Sequence, residues 1–109
     1  MRNGLVTQRD QTFTALADPV RREIVLRLAS GPAAVGDITR PFSISRPAVS
    51  RHLRVLREAG IVAADKQGRR QIYRLRPTAL EGAEGFLAEV RSAWEETLST
   101  FKDYVEHRS

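Results

Sequence analysis

Residues 45–60 restrict the fold of this chain more than any other segment, because they describe one helix with two chemically different faces. Ser45 is a preferred N-cap residue, Pro47 is tolerated in a first helical turn, and Gly60 is suited to end a helix. Apolar residues recur at helical spacing on one side: Val49, Leu53 and Leu56, with Val55 beside them. Polar and basic residues fall mostly on the other side: Arg46, Ser50, Arg51, Arg54 and Arg57. Such a helix must bury its first face, and it leaves the second face open to a partner.

The segments around this helix predict a small helical fold with one hairpin. Apolar spacing predicts shorter helices over residues 8–17, 20–29 and 35–40, the second of them opened by Asp18-Pro19. Two strands are predicted over residues 61–66 and 70–75, because Gln67-Gly68-Arg69 between them supplies a turn. The fold class is therefore mainly α with a small β-hairpin: a winged helix-turn-helix with four helices, a two-stranded wing and a long C-terminal helix. We expect a single domain over 1–109, divided into a loose tail at 1–6, the helix-turn-helix at 35–59, the wing at 61–75 and the last helix at 77–106.

The excess positive charge is concentrated in the middle of the chain. The whole sequence has 18 Lys and Arg against 13 Asp and Glu, a net charge of +5. Residues 40–76 alone hold ten basic and two acidic side chains, whereas residues 77–109 hold three basic and seven acidic ones. Nine of the ten central cations are arginine, which forms bidentate contacts with phosphate and guanine. Since an α-helix fits the major groove, we expect double-stranded DNA as the partner.

The first two turns of the two-faced helix hold the main candidates for contacts with bases. Arg46, Ser50 and Arg51 lie there, and either base edges or phosphates are their expected targets. Ser45 is first of all an N-cap, and contact with DNA is its second role. Pro47 either meets a thymine methyl group or stiffens the start of the helix.

The remaining DNA-binding candidates lie later in the helix and at the wing. His52 adjoins Leu53, so it is predicted first as a packed, hydrogen-bonded residue, with phosphate contact as the alternative. Arg54 is expected to meet phosphate. Arg69 and Arg70 sit at or beside the tip of the hairpin, where they are candidates for phosphate or for the neighbouring minor groove.

The last helix predicts a second interface. Large apolar residues repeat in it every seven positions: Leu80, Leu87, Trp94 and Phe101, with a second row at Ala83, Val90, Thr97 and Tyr104. At 1.5 Å per residue the helix would reach about 43 Å, whereas a globule of this length has a radius of gyration of about 13 Å. An overhanging apolar stripe usually marks an interface, and the simplest partner is a second copy, with Phe13 and Leu16 joining in. The alternative is that the helix folds back onto its own core.

Three groups of residues resemble the ArsR/SmtB family of bacterial repressors over roughly residues 12–105. They are Phe13-x-x-Leu16-Ala17-Asp18-Pro19-x-Arg21-Arg22-x-Ile24, then Ser45-x-Pro47-Ala48-Val49-Ser50-x-His52-Leu53-x-Val55-Leu56-x-x-Ala59-Gly60-Ile61-Val62, and Gly68-Arg69-x-x-x-Tyr73-x-Leu75. The resemblance implies a homodimeric repressor that binds a palindromic operator and releases DNA when an effector arrives. The chain most resembles the branch of the family that has no cysteine and senses no metal, whose effectors are often unknown.

The sequence departs from the metal-sensing members of that family. Many of them carry a Cys-x-Cys pair on the third helix, and this chain has no cysteine. Other members bind zinc through Asp and His on the last helix, where this chain offers only Asp103 and His107 near its end. Two ligands per chain make a poor site, so we expect no metal and no cofactor.

Two other functions remain to be separated from the repressor. One is an architectural protein that binds DNA without sequence preference, and the other is a winged-helix module whose basic face meets an acidic protein. An enzyme is not expected, because there is no thiol, no glycine-rich phosphate loop and no HExxH motif. The longest apolar stretch is far too short to span a bilayer, and the first residues lack the apolar core of a signal peptide, so a cytoplasmic protein without membrane contact is expected.

Overall fold

The computed structural model describes residues 7–107, and the tail predicted for 1–6 lies outside these residues. The helices are α1 (Gln8–Leu16), α2 (Pro19–Ala29), α3 (Val35–Thr39), α4 (Arg46–Glu58) and α5 (Glu81–Glu106), and the strands are β1 (Ala33–Ala34), β2 (Val62–Gln67) and β3 (Arg70–Leu75). The five predicted helices and the predicted hairpin are confirmed. The winged helix-turn-helix therefore consists of α3, α4 and the β2–β3 wing, with α1 and α2 packed behind it.

Side-chain caps start three of the helices, and two of them, Asp18 and Ser45, are the residues that the sequence indicates. Thr7 and Asp10 form a capping box at α1, with the Asp10 amide donating to Thr7 Oγ1 at 3.2 Å. Asp18 Oδ2 accepts from the Arg21 amide at 3.0 Å and begins α2, and Ser45 Oγ accepts from the Ala48 amide at 3.2 Å and begins α4. These caps hold the ends of short helices that would otherwise fray, because each satisfies a free amide of a first turn.

The predicted start of the last helix at Pro77 is wrong by four residues. The Arg76 amide still donates to the Ile61 carbonyl at 3.0 Å, so the chain leaves the sheet only after this residue. Tight turns follow, in which Ala79 N–H donates to Arg76 O at 3.0 Å and Glu81 N–H donates to Thr78 O at 3.3 Å. Helix α5 therefore begins at Glu81, because residues 77–80 are used to turn the chain away from the sheet.

The sheet has three strands where the sequence predicts two. Strand β3 is central, and β2 pairs with it antiparallel from Val62 opposite Leu75 to Gln67 opposite Arg70. Gly68 has φ 62° in the two-residue loop between them, a conformation that glycine adopts without steric cost. On its other side β3 pairs with β1, which has Ala33 opposite Tyr73. A strand of two alanines has no alternating pattern, so the sequence did not indicate it.

The core lies between α2, α3, α4 and the base of the wing. The apolar stripe of α4 is fully buried, as its spacing predicts, with Val49, Leu53 and Leu56 at 0% exposure. These residues pack with a cluster from the other elements that includes Ile24, Leu28, Ile38, Ile61 and Val62. Gly60, with φ 80°, ends α4 and lets the chain pass directly into the wing. The buried stripe thereby fixes which face of α4 points outward.

Helix α5 extends away from this body. The radius of gyration is 19.2 Å, against about 13 Å for a compact chain of this length, and the longest dimension is 71 Å. Every residue from 84 to 107 is exposed, and Trp94 and Phe101 are 61% and 63% exposed. The alternative in which this helix folds back onto its own core is therefore wrong for these residues. Within residues 7–107, no helix combines the length and the apolar character that crossing a membrane requires.

Candidate nucleic-acid interface

The N-terminal half of α4 presents its predicted DNA contacts to solvent. Arg46, Pro47, Ser50 and Arg51 are all exposed, as is the capping residue Ser45. Ser45 is occupied as a cap through its hydroxyl oxygen, which accepts from the backbone, so the structural role predicted for it is confirmed. Because the opposite face of the same helix is fully buried in the core, the packing of the helix fixes the direction in which the exposed face points.

A groove of about 500 Å³ separates this face of α4 from α3 and the wing. Four arginines from three parts of the fold line it, together with Ser50: Arg40 after α3, Arg46 on α4, and Arg69 and Arg70 on the wing. The predicted residues of the helix start and the wing thus share one surface. Arginine donates several hydrogen bonds in a planar fork, so a groove lined in this way suits phosphate groups and base edges.

Two members of this groove were not singled out by the sequence. Arg40 follows α3, and Asp37 lies in its first turn. Asp37 pairs with Arg40 at 2.8 Å and with Arg70 at 3.6 Å, and so carries a negative charge between two cations of the groove. The signal available in the sequence was the density of arginine after residue 40. The carboxylate gave no signal, because its partner Arg70 is distant in the chain.

The wing carries a second ion pair away from this groove. Arg74 Nε donates to Asp65 Oδ2 at 2.7 Å across β2 and β3, where the two residues are diagonal neighbours. Tyr73 is half-buried against the core, and its hydroxyl donates to Gln71 Oε1 at 3.1 Å. These contacts fix the wing, and Arg69 and Arg70 stay exposed near its tip.

His52 lies on the side of α4 that faces α2. Its side chain is 23% exposed, and Nδ1 is 3.3 Å from Arg21 Nη1 and 3.8 Å from Asp18 Oδ2. The packed, hydrogen-bonded role predicted first for His52 agrees with this position. The predicted contacts of Arg51 and Arg54 with DNA stay predictions, as both side chains are exposed but lie outside the lining of the groove.

Asp18 combines a cap with this cluster, and its pKa is lowered. The largest cause is the hydrogen bond from the Arg21 amide, which favours the ionised carboxylate. The charges of His52 and Arg21 lower the pKa further, and burial opposes them. Asp18 therefore stays ionised to a more acidic pH than an ordinary aspartate.

The predicted dimer residues fall into two sets. Leu87, Val90, Trp94 and Phe101 are exposed along α5, and Leu80 is the residue before its first turn. Phe13 of α1 is half-buried, with its ring centroid 5.4 Å from that of Phe86 in an edge-to-face arrangement. Leu16 packs against the core of its own chain. Helix α1 therefore supports the root of α5, while the apolar stripe beyond it stays uncovered.

His107 is the residue that follows the last turn of α5. His107 Nδ1 lies 2.9 Å from the backbone carbonyl oxygen of Asp103, one helical turn earlier. Among residues 7–107 there is no group of three or more His, Cys, Asp or Glu side chains that could hold a metal ion.

A model of one protein family matches the centre of the chain. The family is described as "Bacterial regulatory protein, arsR family", and the match covers residues 18–64. This segment runs from the cap of α2 through the helix-turn-helix into β2, so it includes the buried stripe and the exposed face of α4.

Individual relatives extend this match. The HTH-type transcriptional regulator Rv2034 of Mycobacterium tuberculosis is 52% identical over 71 residues, which are 65% of this chain and 66% of that protein, slightly less than two thirds of its length. The transcriptional repressor SdpR of Bacillus subtilis is 36% identical over 72 residues, 66% of this chain and 80% of the relative. The solution structure of Mb0332 from Mycobacterium bovis, a homodimeric winged helix-turn-helix DNA-binding domain and possible ArsR-family transcriptional regulator, has a TM-score of 0.63 and 30% identity, covering 91% of this chain and 89% of that one.

Proposed function

Because the chain belongs to the ArsR family of bacterial transcriptional regulators, we propose that it is a homodimeric repressor of transcription that binds a palindromic operator. The exposed face of α4, the recognition helix, enters the major groove, and Arg69 and Arg70 of the wing meet the backbone or the adjacent minor groove. The protein acts at DNA in the cytoplasm, and we propose no enzymatic activity for it.

The observation that carries this proposal is the arginine-lined groove beside α4. It brings Arg40, Arg46, Arg69 and Arg70 to one surface, although they come from three separate parts of the fold. Phosphate contacts from such residues set the position of a protein on the duplex, while the residues of the recognition helix read base edges. A rigid helix flanked by phosphate contacts supports sequence-specific binding over general coating of DNA.

The apolar stripe of α5 supports the homodimer. Its large side chains are about half exposed or more, and a stripe of this size in water is unfavourable until it is covered. A two-fold axis beside α5 would bring two equal stripes together and present two α4 helices to one face of DNA. Half-sites about one helical turn apart, roughly 34 Å, are the expected result.

The test is selection of bound duplexes from a random pool, repeated on the DNA upstream of the protein's own gene. We expect an enriched palindrome, bound at least about 10³-fold more tightly than random duplex at the same salt concentration. Near-equal affinities for all duplexes would contradict the proposal and favour an architectural protein. Absence of tight DNA binding would also contradict the proposal, and it would favour a module whose basic face binds an acidic protein. Release of the operator by an effector stays a prediction of the family resemblance.

A further inference from the structure

Arg21 joins three helices, and the proposed contacts with DNA do not use it. It belongs to the Asp18-Pro19-x-Arg21-Arg22 motif at the start of α2. Its Nε donates to the Ala15 carbonyl at 2.6 Å and its Nη2 to the Thr14 carbonyl at 3.4 Å, both in the last turn of α1. Its Nη1 lies 3.3 Å from Nδ1 of His52 on α4. One half-buried guanidinium therefore touches the end of α1 and the middle of the recognition helix.

The contact with α1 meets a need of that helix. The last carbonyls of a helix have no partners within it, and a cation there is favourable because it faces the negative end of the helix dipole. Helix α1 has no basic residue in its own last turn. From α2, Arg21 supplies the missing charge and a donor to the Ala15 carbonyl, and it adds a second donor to the Thr14 carbonyl, which also accepts from the Ala17 amide. These contacts fix where α1 ends relative to α2.

The contact with α4 has a defined chemistry. A guanidinium only donates hydrogen bonds, so Nδ1 of His52 can accept from Arg21 Nη1 only in the tautomer that carries the ring proton on Nε2. The Asp18 carboxylate, 3.8 Å from the same Nδ1, accepts from the Arg21 amide and holds the start of α2 in place. Arg21 and Asp18 of α2 together set the position of His52, which is one residue from the exposed Arg51.

Helix α1 continues this chain of contacts toward α5, which is the helix proposed to form the dimer and is called the dimer arm below. Phe13 packs edge-to-face on Phe86 of α5, and Arg9 places its guanidinium 5.1 Å from the centre of the same ring. Gly82 allows α5 to approach α1 closely, since a Cβ at this position would lie only 3.3 Å from Arg9 Cβ. The contacts run from α5 through α1 and Arg21 to α4 without a gap.

We propose that Arg21 is a positioning residue for operator recognition, which fixes the recognition helix relative to the dimer arm through its contacts with the end of α1 and with His52. This inference rests on the proposed function, because it concerns how two recognition helices of a dimer are spaced. A planar fork that bridges α1 and α4 resists rotation of one against the other. A lysine has one compact donor group and cannot bridge both helices in this way.

The neighbouring residue provides a matched control. Arg22 Nη1 donates to the Leu16 carbonyl at 2.9 Å, so it caps the same end of α1 with the same chemical group. It is exposed, and its hydrogen bond joins it to α1 rather than to α4. Arg22→Lys therefore tests the general effect of replacing a capping arginine, and Arg21→Lys tests the bridge.

The experiment measures operator affinity for duplexes in which the two selected half-sites are moved apart by one base pair. The readout is the ratio of the affinities for the correct and the displaced duplex. An inactive fraction of a protein preparation lowers both apparent affinities equally, so it cancels in this ratio. For the unchanged protein and for Arg22→Lys we expect a ratio of about tenfold or more. For Arg21→Lys we expect a ratio of about threefold or less, with the affinity for random duplex unchanged within about twofold.

His52→Ala removes the α4 end of the bridge and carries the same spacing test if Arg21→Lys does not fold. In the double variant we expect no further loss of spacing discrimination beyond that of Arg21→Lys, because Arg21→Lys has already broken the contact that His52→Ala removes. Equal ratios for Arg21→Lys and Arg22→Lys, or additive losses in the double variant, would overturn the inference. If the unchanged protein shows no preference for any operator, the proposed function fails instead.

Discussion

Helices α4 and α5 are both amphipathic, but α4 buries its apolar face and α5 exposes it. The apolar stripe of α4 is buried at 0% exposure, and its arginines face solvent. The apolar stripe of α5 faces solvent, with Phe101 at 63% exposure. The body of the protein covers the first stripe with its own core, whereas within residues 7–107 nothing covers the second. The same helical pattern thus predicts a core in one place and an interface between chains in the other.

Replacing one large residue of the α5 stripe with a charge should have the largest effect. Leu87→Glu buries a carboxylate in the proposed interface, so we expect monomers at micromolar concentration and at least about 100-fold weaker operator binding. Sedimentation and light scattering measure the mass. Ser92→Glu is the matched control, because Ser92 is exposed on the opposite side of the same helix. A Leu87→Glu variant that still forms the dimer would contradict the proposed interface.

Truncating an arginine on the exposed face of α4 should have an effect of intermediate size. If Arg51 reads a base, Arg51→Ala costs about 1–3 kcal/mol on the operator and relaxes specificity at one base position. Competition binding with operators changed at single positions measures this. Equal weakening on every sequence, with a salt dependence reduced by about one unit of slope, would identify Arg51 as a phosphate contact instead.

Neutralising the carboxylate in the groove should have a smaller effect of opposite sign. Asp37→Asn releases Arg40 and Arg70 from their ion pairs and removes a negative charge that faces the phosphates. We expect random duplex to bind about two- to threefold more tightly, measured by fluorescence anisotropy at low salt. Asp65→Asn breaks the comparable pair with Arg74 outside the groove lining. A similar gain in both variants would mean that only net charge matters.

The smallest expected effect concerns the stability of the body and its pH dependence. The pKa of Asp18 is lowered in the folded state, so its ionised form stabilises the fold above the ordinary pKa of aspartate. This contribution is lost as the pH falls through the lowered folded pKa. Asp18→Asn keeps a capping side chain but lacks the charge, so we expect a lower melting temperature than that of the unchanged protein at pH 7, and a shallower decline between about pH 5 and 3 that brings the two melting temperatures together. Parallel declines on acidification would contradict this role of Asp18.

The predictability of these features from sequence follows from the range of the interactions that make them. Caps such as Ser45 and the stripe of α4 depend on residues within one or two turns, and the pattern located both. Strand β1 exists only because Tyr73 and Ile72, about forty residues later, lie beside it. The start of α5 depends on Arg76 still being bound to Ile61 across the sheet, which no local pattern around Pro77 indicates.

The candidate site divides in the same way. Arg46, Ser50, Arg69 and Arg70 could be named from charge and spacing, and they line the groove. Asp37 could not be named, because its role depends on how α3 and the wing meet. The position of His52 between Asp18 and Arg21 likewise depends on the packing of α2 against α4, which a single sequence does not specify.

The central claim is that the uncovered stripe of α5 pairs two basic α4 faces on one palindrome. The most direct test compares the selected operator with the same duplex in which one half-site is scrambled, using the unchanged protein at fixed salt. We predict a loss of at least about 100-fold, because one recognition helix of the dimer then meets a wrong sequence. Nearly equal affinity for the two duplexes would contradict the claim, since a single half-site would then be sufficient.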